Sequence, residues 1–420
     1  MLNRKNYRTR ILAPAMLAAF AAIGAGGTVR AADAARSFEI YGFAEVDAIA
    51  DSKRVDPNWQ DAFRPSKIGV DGQFGTNGAT SLSVKQSRFG VKGTQPTGDN
   101  STPIDFKFEF DMFGTGGDAG KTAVRLRHAY GEWGALLAGQ TNSLFMDGDV
   151  YPNVFDYWGP TGMVFYRNVQ IRWTAFRTAT DHFAIAIERP GNDVDSGNIR
   201  LIEQYSNAIV RADQKWPDLT LQYRHNDSWG HVQASGILRS VGYEVSANGS
   251  TNGPWSKGSQ TGWGINLGSA LKTIDKDQVL LQVVYGEGIA SYMNDGGMDL
   301  APSAGLVTCP PIAGPGCPPS LSAKAVPLLG VVAYYDHYWN SMWSSSIGYS
   351  VTKVDNTNFQ SNTAYHKGDY ASVNLFAYPV NNLALGGELL WGKLNNNDGT
   401  SGDDVRFQFS VKYDFDAKVY

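Results

Sequence analysis

The segment IDFKFEFDMFG, residues 104–114, alternates Phe106, Phe108, Phe110 and Met112 with Asp105, Lys107, Glu109 and Asp111. A period of two is the period of a β-strand, whose successive side chains point to opposite faces. One face of this strand is bare and largely aromatic, and the other is fully charged. A closed sheet in a membrane accommodates both: the apolar face meets lipid and the charged face meets water in the lumen.

The C-terminal segment repeats the pattern. In VRFQFSVKYDF, Val405, Phe407, Phe409, Val411, Tyr413 and Phe415 share one face, and Arg406, Gln408, Ser410, Lys412 and Asp414 share the other. Such a closing strand resembles the C-terminal segment of bacterial outer-membrane barrels. Those usually end in Phe on the apolar face, whereas this chain ends DAKVY with Tyr420 on the other parity.

Composition agrees with a strand-and-turn chain. Charged residues make up only 18%, against 47 Gly, 11 Trp, 20 Tyr and 20 Phe, a bias toward strands and turns over helices. The first residues are of another kind. Arg4, Lys5, Arg8 and Arg10 precede an apolar run, ILAPAMLAAFAAIGAGG, with small residues around Ala31 and Ala34. This reads as a signal peptide over 1–31, with cleavage possible as late as 34, leaving 32–420 as a single barrel domain. Cleavage after Ala31 removes five basic residues and no acidic ones, taking the formal net charge from −4 to −9. An acidic exported chain argues against a nucleic-acid partner. Beyond the leader, no apolar run approaches the roughly 18–20 residues of a spanning helix.

Sixteen alternating segments follow: Phe38–Ala50, Leu82–Lys92, Ile104–Phe113, Val124–Trp133, Ala135–Gln140, Val169–Phe176, His182–Arg189, Leu219–His225, His231–Tyr243, Gly262–Leu271, Gln278–Tyr285, Leu328–Tyr335, Met342–Val351, Tyr370–Tyr378, Leu383–Lys393 and Asp404–Phe415. Their connectors alternate between short (EWG, RTATD, NDSWG, KTIDKD, DHYWNS, PVNN) and long (141–168, 190–218, 244–261, 286–327, 352–369). An up-and-down outer-membrane barrel has this asymmetry, with tight periplasmic turns and long outside loops. The fold expectation is therefore all-β: a transmembrane antiparallel up-and-down barrel of about 16 strands, in the outer membrane of a Gram-negative cell among lipid and lipopolysaccharide. A secreted all-β domain is the competing class. It would show a repeat of fixed length or a less aromatic exposed face, and neither is present.

The connector TNSLFMDGDVYPNVFDYWGPTGMVFYRN, 141–168, is long, aromatic and punctuated by Pro152 and Pro160, and it carries Asp147, Asp149 and Asp156. As the third outside loop it is expected to fold inward and narrow the lumen, the alternative being a cover over the barrel mouth or a subunit seam. Arg125 and Arg127 share one face of the next strand after 104–113, in a register that sets Asp111 opposite Arg125 and Glu109 opposite Arg127. Arg172 and Arg224 also fall on polar faces. Cationic side chains facing an acidic loop would set a transverse field that selects solutes by charge. Neutralised wall filler is the alternative. His128 falls on the lipid-face parity, which calls for a bulge or an interfacial position.

Enzymatic chemistry is not expected. There is no G-x-S-x-G, the six histidines are scattered, and the densest polar cluster, HNDSWGH (225–231), falls in a short turn. No metal or cofactor is expected: DGD (147–149) lacks the spaced ligands of a calcium loop. Cys309 and Cys317, in CPPIAGPGC, are expected to form a local disulfide in an oxidising compartment.

Four phrases, VKQSRFGVKG (84–93), FEFDMFG (108–114), RLRHAYGEWGALLAGQTNSLFMDGD (125–149) and FDYWGPTGMVFYRNVQIRW (155–173), resemble the DcaP-like porins of Gram-negative outer membranes. The resemblance is concentrated over 84–175. It implies a homotrimer of sixteen-stranded barrels, each a diffusion channel for small hydrophilic solutes, favouring anionic compounds and dicarboxylates. Position by position it marks Arg125, Arg127, Asp147, Asp149, Asp156, Arg167 and Arg172 as constriction residues. Asp105, Lys107, Glu109, Asp111 and Arg224 are expected to face the lumen. Some members carry a helical segment before the first strand. Here the mature chain enters that strand almost at once, which leaves trimer stability to the barrel walls. A structural or adhesive barrel with a plugged lumen is the runner-up.

Overall fold

A computed structural model describes residues 36–419 except 99–100, 115–121, 202–205, 247–248, 250, 252–254 and 304–322. The expected signal peptide and the Cys309–Cys317 disulfide lie outside the described residues, as does Tyr420.

Each of the sixteen alternating segments forms a strand. The first half of the wall comprises β1 (Ser37–Asp51), β2 (Ala79–Ser83 continued by Arg88–Gln95), β3 (Ile104–Asp111), β4 (Arg125–Trp133), β5 (Leu136–Asn142), β6 (Arg167–Arg177), β7 (Asp181–Glu188) and β8 (Ile209–Ala212 continued by Asp218–Asp227). The second half comprises β9 (Gly230–Ser246), β10 (Ser256–Lys272), β11 (Gln278–Glu287), β12 (Pro327–Tyr338), β13 (Trp343–Val354), β14 (Tyr365–Val380), β15 (Leu383–Asn396) and β16 (Ser401–Val419). Neighbours in sequence pair antiparallel throughout. The first and last strands close the ring, from Phe38↔Val419 to Asp51↔Arg406. A bidentate ion pair crosses that seam on the inner face: Arg406 Nε lies 2.6 Å and Nη2 2.9 Å from the Asp51 carboxylate. The backbone groups of β1 and β16 thus find partners without an open edge, as hydrocarbon surroundings require. Among the described residues no helix is long and apolar enough to cross a membrane.

Two strands are interrupted where the sequence reading had them continuous or shorter. In β2, residues 84–87 leave the ladder so that Lys85 pairs with Asp61 and Gln86 donates to Asp47 (3.1 Å) and to the Phe155 carbonyl (2.7 Å). In β8, the gap at 213–217 contains Pro217, which has no N–H to give the ladder. The short piece Ile209–Ala212 before it pairs with the far end of β9.

The opening segment, now β3, has its two faces on opposite sides of the wall. Phe108 is 44% exposed on the outside, whereas Glu109 and Asp111 are buried at 3% and 0% on the inside. In β16 likewise Phe407 and Phe409 face out, with Arg406, Gln408 and Ser410 buried within. Phe108→Arg should therefore destabilise the refolded barrel by about 2–4 kcal/mol, the cost of a cation at the bilayer midplane. Glu109→Gln keeps the shape and one acceptor oxygen for Arg127 but gives up the charge and the second acceptor, so it should cost the fold less than Phe108→Arg and act mainly on conduction. Denaturant unfolding of detergent-refolded protein checks both; equal losses for the two variants would contradict this sidedness.

The lumen is not uniformly polar. On the β9–β15 side, Ile237, Leu280, Val284, Val332, Tyr334 and Leu390 project inward and are buried. They pack against apolar side chains of loop one (52–78), loop three (143–166) and loop six (288–326), among them Phe63, Phe145, Met163 and Ile289. The core of the protein therefore sits inside the barrel, against half of its wall. The other half, β1 to β6, keeps a charged inner face.

Candidate pore constriction

Loop three turns inward at the end of β5. Glu188, on the inner face of β7, accepts from Ser143 Oγ (2.8 Å) and Leu144 N (3.2 Å). Arg172 braces the same point, donating from Nη2 to the Asn142 carbonyl (2.7 Å) and from Nε to Gln170 (3.0 Å). From there the loop crosses the lumen. Asn266 and Gln233 donate to the carbonyls of Phe145 (2.8 Å) and Met146 (3.0 Å). On the far side, Asp336 accepts from Asn153 N (3.2 Å) and Glu388 from Phe155 N (2.8 Å). The Phe155 ring sits 3.9 Å from that of Phe376. The loop then returns to the first wall, where Tyr157 OH donates to Asp111 (3.0 Å) and its ring stacks on Phe113 at 3.6 Å. The expectation of an inward fold over a cover at the mouth describes this path.

The three loop carboxylates go to three different places. Asp156 is buried and accepts from Phe63 N (2.8 Å), Gly159 N (2.9 Å) and Tyr370 OH (3.2 Å), so it anchors the loop, and it also lines the cavity between the loop and the β1–β6 wall. Burial pushes its carboxyl up to about 6, with the Arg406 charge opposing that rise. Asp147 is buried too, against His231 Nε2 (2.8 Å) and Arg224 Nη1 (3.5 Å). Asp149 alone is exposed, its carboxylate paired with Arg224. Ligand atoms of Asp147, Asp149 and His231 lie within 4.8 Å of one another. Arg224 already places a cation against both carboxylates, which competes with a metal ion there.

Across from the loop, β3 and β4 form a dense charge cluster. Arg125 Nε lies 3.0 Å from Asp111 Oδ1, and Arg127 reaches Glu109 (2.7 Å) and Asp111 (2.9 Å). Lys107 Nζ is 3.1 Å and Arg88 Nε 3.6 Å from Glu109, which also accepts from Tyr41 OH (2.8 Å). Asp105 lies nearer the short-turn end and accepts from Thr94 Oγ1 (2.6 Å). The hairpin register sets Asp111 opposite Arg125, but Glu109 pairs with His128 and Phe110 with Leu126. A β-bulge at Arg127 causes the shift, and it turns both Arg127 and His128 inward. His128 Nδ1 then lies 3.0 Å from Thr141 Oγ1.

A cavity of about 780 Å³ lies between loop three and this wall. Arg88, Lys107, Arg127, Arg167 and Lys412 line it on the wall side; Asp149, Tyr151 and Tyr157 face them from the loop. Ser341, Asn381 and Asn382 also line it, so it reaches the short turns. A second cavity of about 270 Å³ shares Tyr157 and Arg167 with the first and adds Arg125 and Trp158. Four cations (Arg88, Lys107, Arg125, Arg127) thus lie against Glu109 and Asp111, with Arg167 lining the larger cavity; Glu45, Asp156 and Asp414 line it as well. Arg167 has no carboxylate within 4 Å among the described residues. Arg88 and Lys412 were not singled out from the sequence, although Arg88 shares the inward parity that marked Arg125. Arg172 and Arg224 lie outside the larger cavity.

The fold of the DcaP outer membrane channel of Acinetobacter baumannii is similar, with a TM-score of 0.72 at 22% identity over 91% of this chain and 99% of that one. An anion-selective porin from Comamonas acidovorans matches at TM-score 0.57 and 10% identity, over 91% and 100%. The trimer form of OmpT from Vibrio cholerae matches at TM-score 0.51 and 10% identity, with the same coverage. No curated protein matches in sequence. The DcaP outer membrane protein family matches over residues 25–297. This chain, a closed sixteen-stranded barrel of the outer membrane, belongs to the DcaP outer membrane protein family.

Proposed function

We propose that the protein is a passive diffusion channel whose solute path runs between loop three and the β1–β6 wall and prefers small anions, dicarboxylates among them. The observation that carries this reading is the local cluster on β2 to β6, where Arg88, Lys107, Arg125, Arg127 and Arg167 gather near Glu109 and Asp111, beside a cavity of about 780 Å³ whose lining also includes Glu45, Asp149, Asp156 and Asp414. Arg167, without a carboxylate partner, and Arg88, with only a distant one, leave two guanidiniums open to a solute carrying two carboxylates. A transverse field of this kind orients a charged solute in a narrow passage. The names of two relatives, an outer-membrane channel and an anion-selective porin, support the same direction, and a trimeric relative supports a homotrimer.

A plugged structural barrel is the second reading. The packing of loops one, three and six across half the lumen favours it. Planar-bilayer recording separates the two. Stable conductance steps in groups of three are expected; a silent, correctly folded protein would favour the plug.

A further inference from the structure

Two hairpin turns at the periplasmic rim carry the same constellation on the outer face. At the first, the Asp181 carboxylate accepts from Tyr223 OH (2.6 Å) and lies 3.0 Å from His225 Nδ1. Trp229 stands in the adjoining turn, its ring 6.1 Å from the imidazole. At the second, Asp277 accepts from Tyr335 OH (2.7 Å) and lies 2.6 Å from His337 Nδ1, with the Trp339 ring 4.2 Å from that imidazole, edge-on at 87°. In both, Tyr and His sit two apart near the end of a descending strand, β8 or β12. The Asp sits at the foot of the rising strand beside it, β7 or β11.

Both sets look outward. Tyr223 lies in the row of Leu219 and Leu221, all exposed, and Tyr335 in the row of exposed Leu329, whereas Asp336 between Tyr335 and His337 is buried inside. An ionised carboxylate only accepts, so each Nδ1–H donates to its Asp; Nε2 becomes a second donor when the ring carries both protons, between the Asp and a bound anion. Among the described residues each Nε2 has no protein partner, on side chains 34% and 33% exposed. Trp229 and Trp339, each beside its His in a short turn, are exposed, as ring side chains at a membrane interface are.

Bracing a turn uses only Nδ1, and it leaves a second nitrogen aimed outward at the level of lipid headgroups. The Asp oxygens are taken up by Tyr and His, so what the site offers outward is Nε2, which donates when the ring is the doubly protonated imidazolium. Exposed Lys272 and Lys276 lie at the end of β10 and in the turn just before Asp277. We infer that His225 and His337 each bind the phosphodiester of a glycerophospholipid in the periplasmic leaflet. Nε2, protonated, donates to a phosphate oxygen, and the neighbouring Trp ring lies against the glycerol and upper acyl chain.

Native mass spectrometry of protein extracted in a phosphate-free detergent tests this. The unaltered barrel should retain about two more phospholipids per protomer than His225→Gln/His337→Gln, each single variant losing one. His225→Arg/His337→Arg should restore retention, since guanidinium also binds phosphate. Equal retention by the double Gln variant would overturn the proposal. So would an equal loss from Lys272→Gln/Lys276→Gln, which would assign retention to bulk charge. The Arg variant keeps the test decisive should Gln impair folding: an Arg barrel that folds but retains no lipid also overturns it.

Discussion

Arg125→Ala combined with Arg127→Ala should abolish anion preference, and with it uptake of dicarboxylates. The substitution leaves three cations (Arg88, Lys107, Arg167) beside Glu109 and Asp111, whose carboxylates then face the cavity without their closest partners. The Asp111 carboxylate is held by both arginines at 2.5–3.0 Å, so it is the group most altered. Removing one partner of a buried pair costs about 3–5 kcal/mol in a dry interior, and a water-lined wall lowers that figure. The barrel should therefore persist while the reversal potential in a salt gradient moves toward cations. Arg177→Ala is the control: its exposed guanidinium lies 3.4 Å from Glu132 and does not line the larger cavity, so selectivity should stay unchanged. If the double variant and the control behave alike, the β4 arginines are wall filler.

Deletion of residues 147–158 should raise single-channel conductance several-fold and flatten selectivity. These residues carry the side of the loop that faces Arg88, Lys107 and Arg127 across the cavity. A milder version releases the loop without shortening it. Glu388→Ala removes the acceptor of Phe155 N, and Asp336→Ala that of Asn153 N. An unsatisfied buried N–H costs about 1–3 kcal/mol, enough to loosen one contact among several. Flickering of conductance is then expected where the deletion gives a stable larger step. Unchanged conductance after the deletion would mean that loop three does not narrow the path.

Much of the fold was legible in the sequence because lipid on one side and water on the other force a period of two. Strand β16 shows it plainly: Phe407 and Phe409 go out, Gln408 and Ser410 go in. What alternation could not show is which inward positions would be dry. Ile237, Val284 and Leu390 occupy inner-face positions like those of cavity-lining Arg88 and Lys107, and only the arrival of distant loop residues such as Phe145, Phe63 and Met163 decides that they form a core. The break in β2 was hidden for the same reason, since Lys85 and Gln86 leave the ladder to reach Asp61 and the Phe155 carbonyl.

At the charged wall, the pairing of Asp111 with Arg125 could be read from hairpin register alone. The bulge at Arg127 could not, although His128 on the wrong parity was its trace. Three aspartates in one loop looked alike in sequence. Their separate fates, Asp156 anchoring, Asp147 held by His231 and Asp149 exposed, follow from which wall each meets.

The central claim is a conducting path past the cluster in which Arg88, Lys107, Arg125, Arg127 and Arg167 gather near Glu109 and Asp111. The zero-current potential of the unaltered protein across a salt gradient tests it most directly. The account predicts the sign of an anion-selective channel, persisting at low ionic strength where screening is weakest. A cation-selective sign under the same conditions would contradict it.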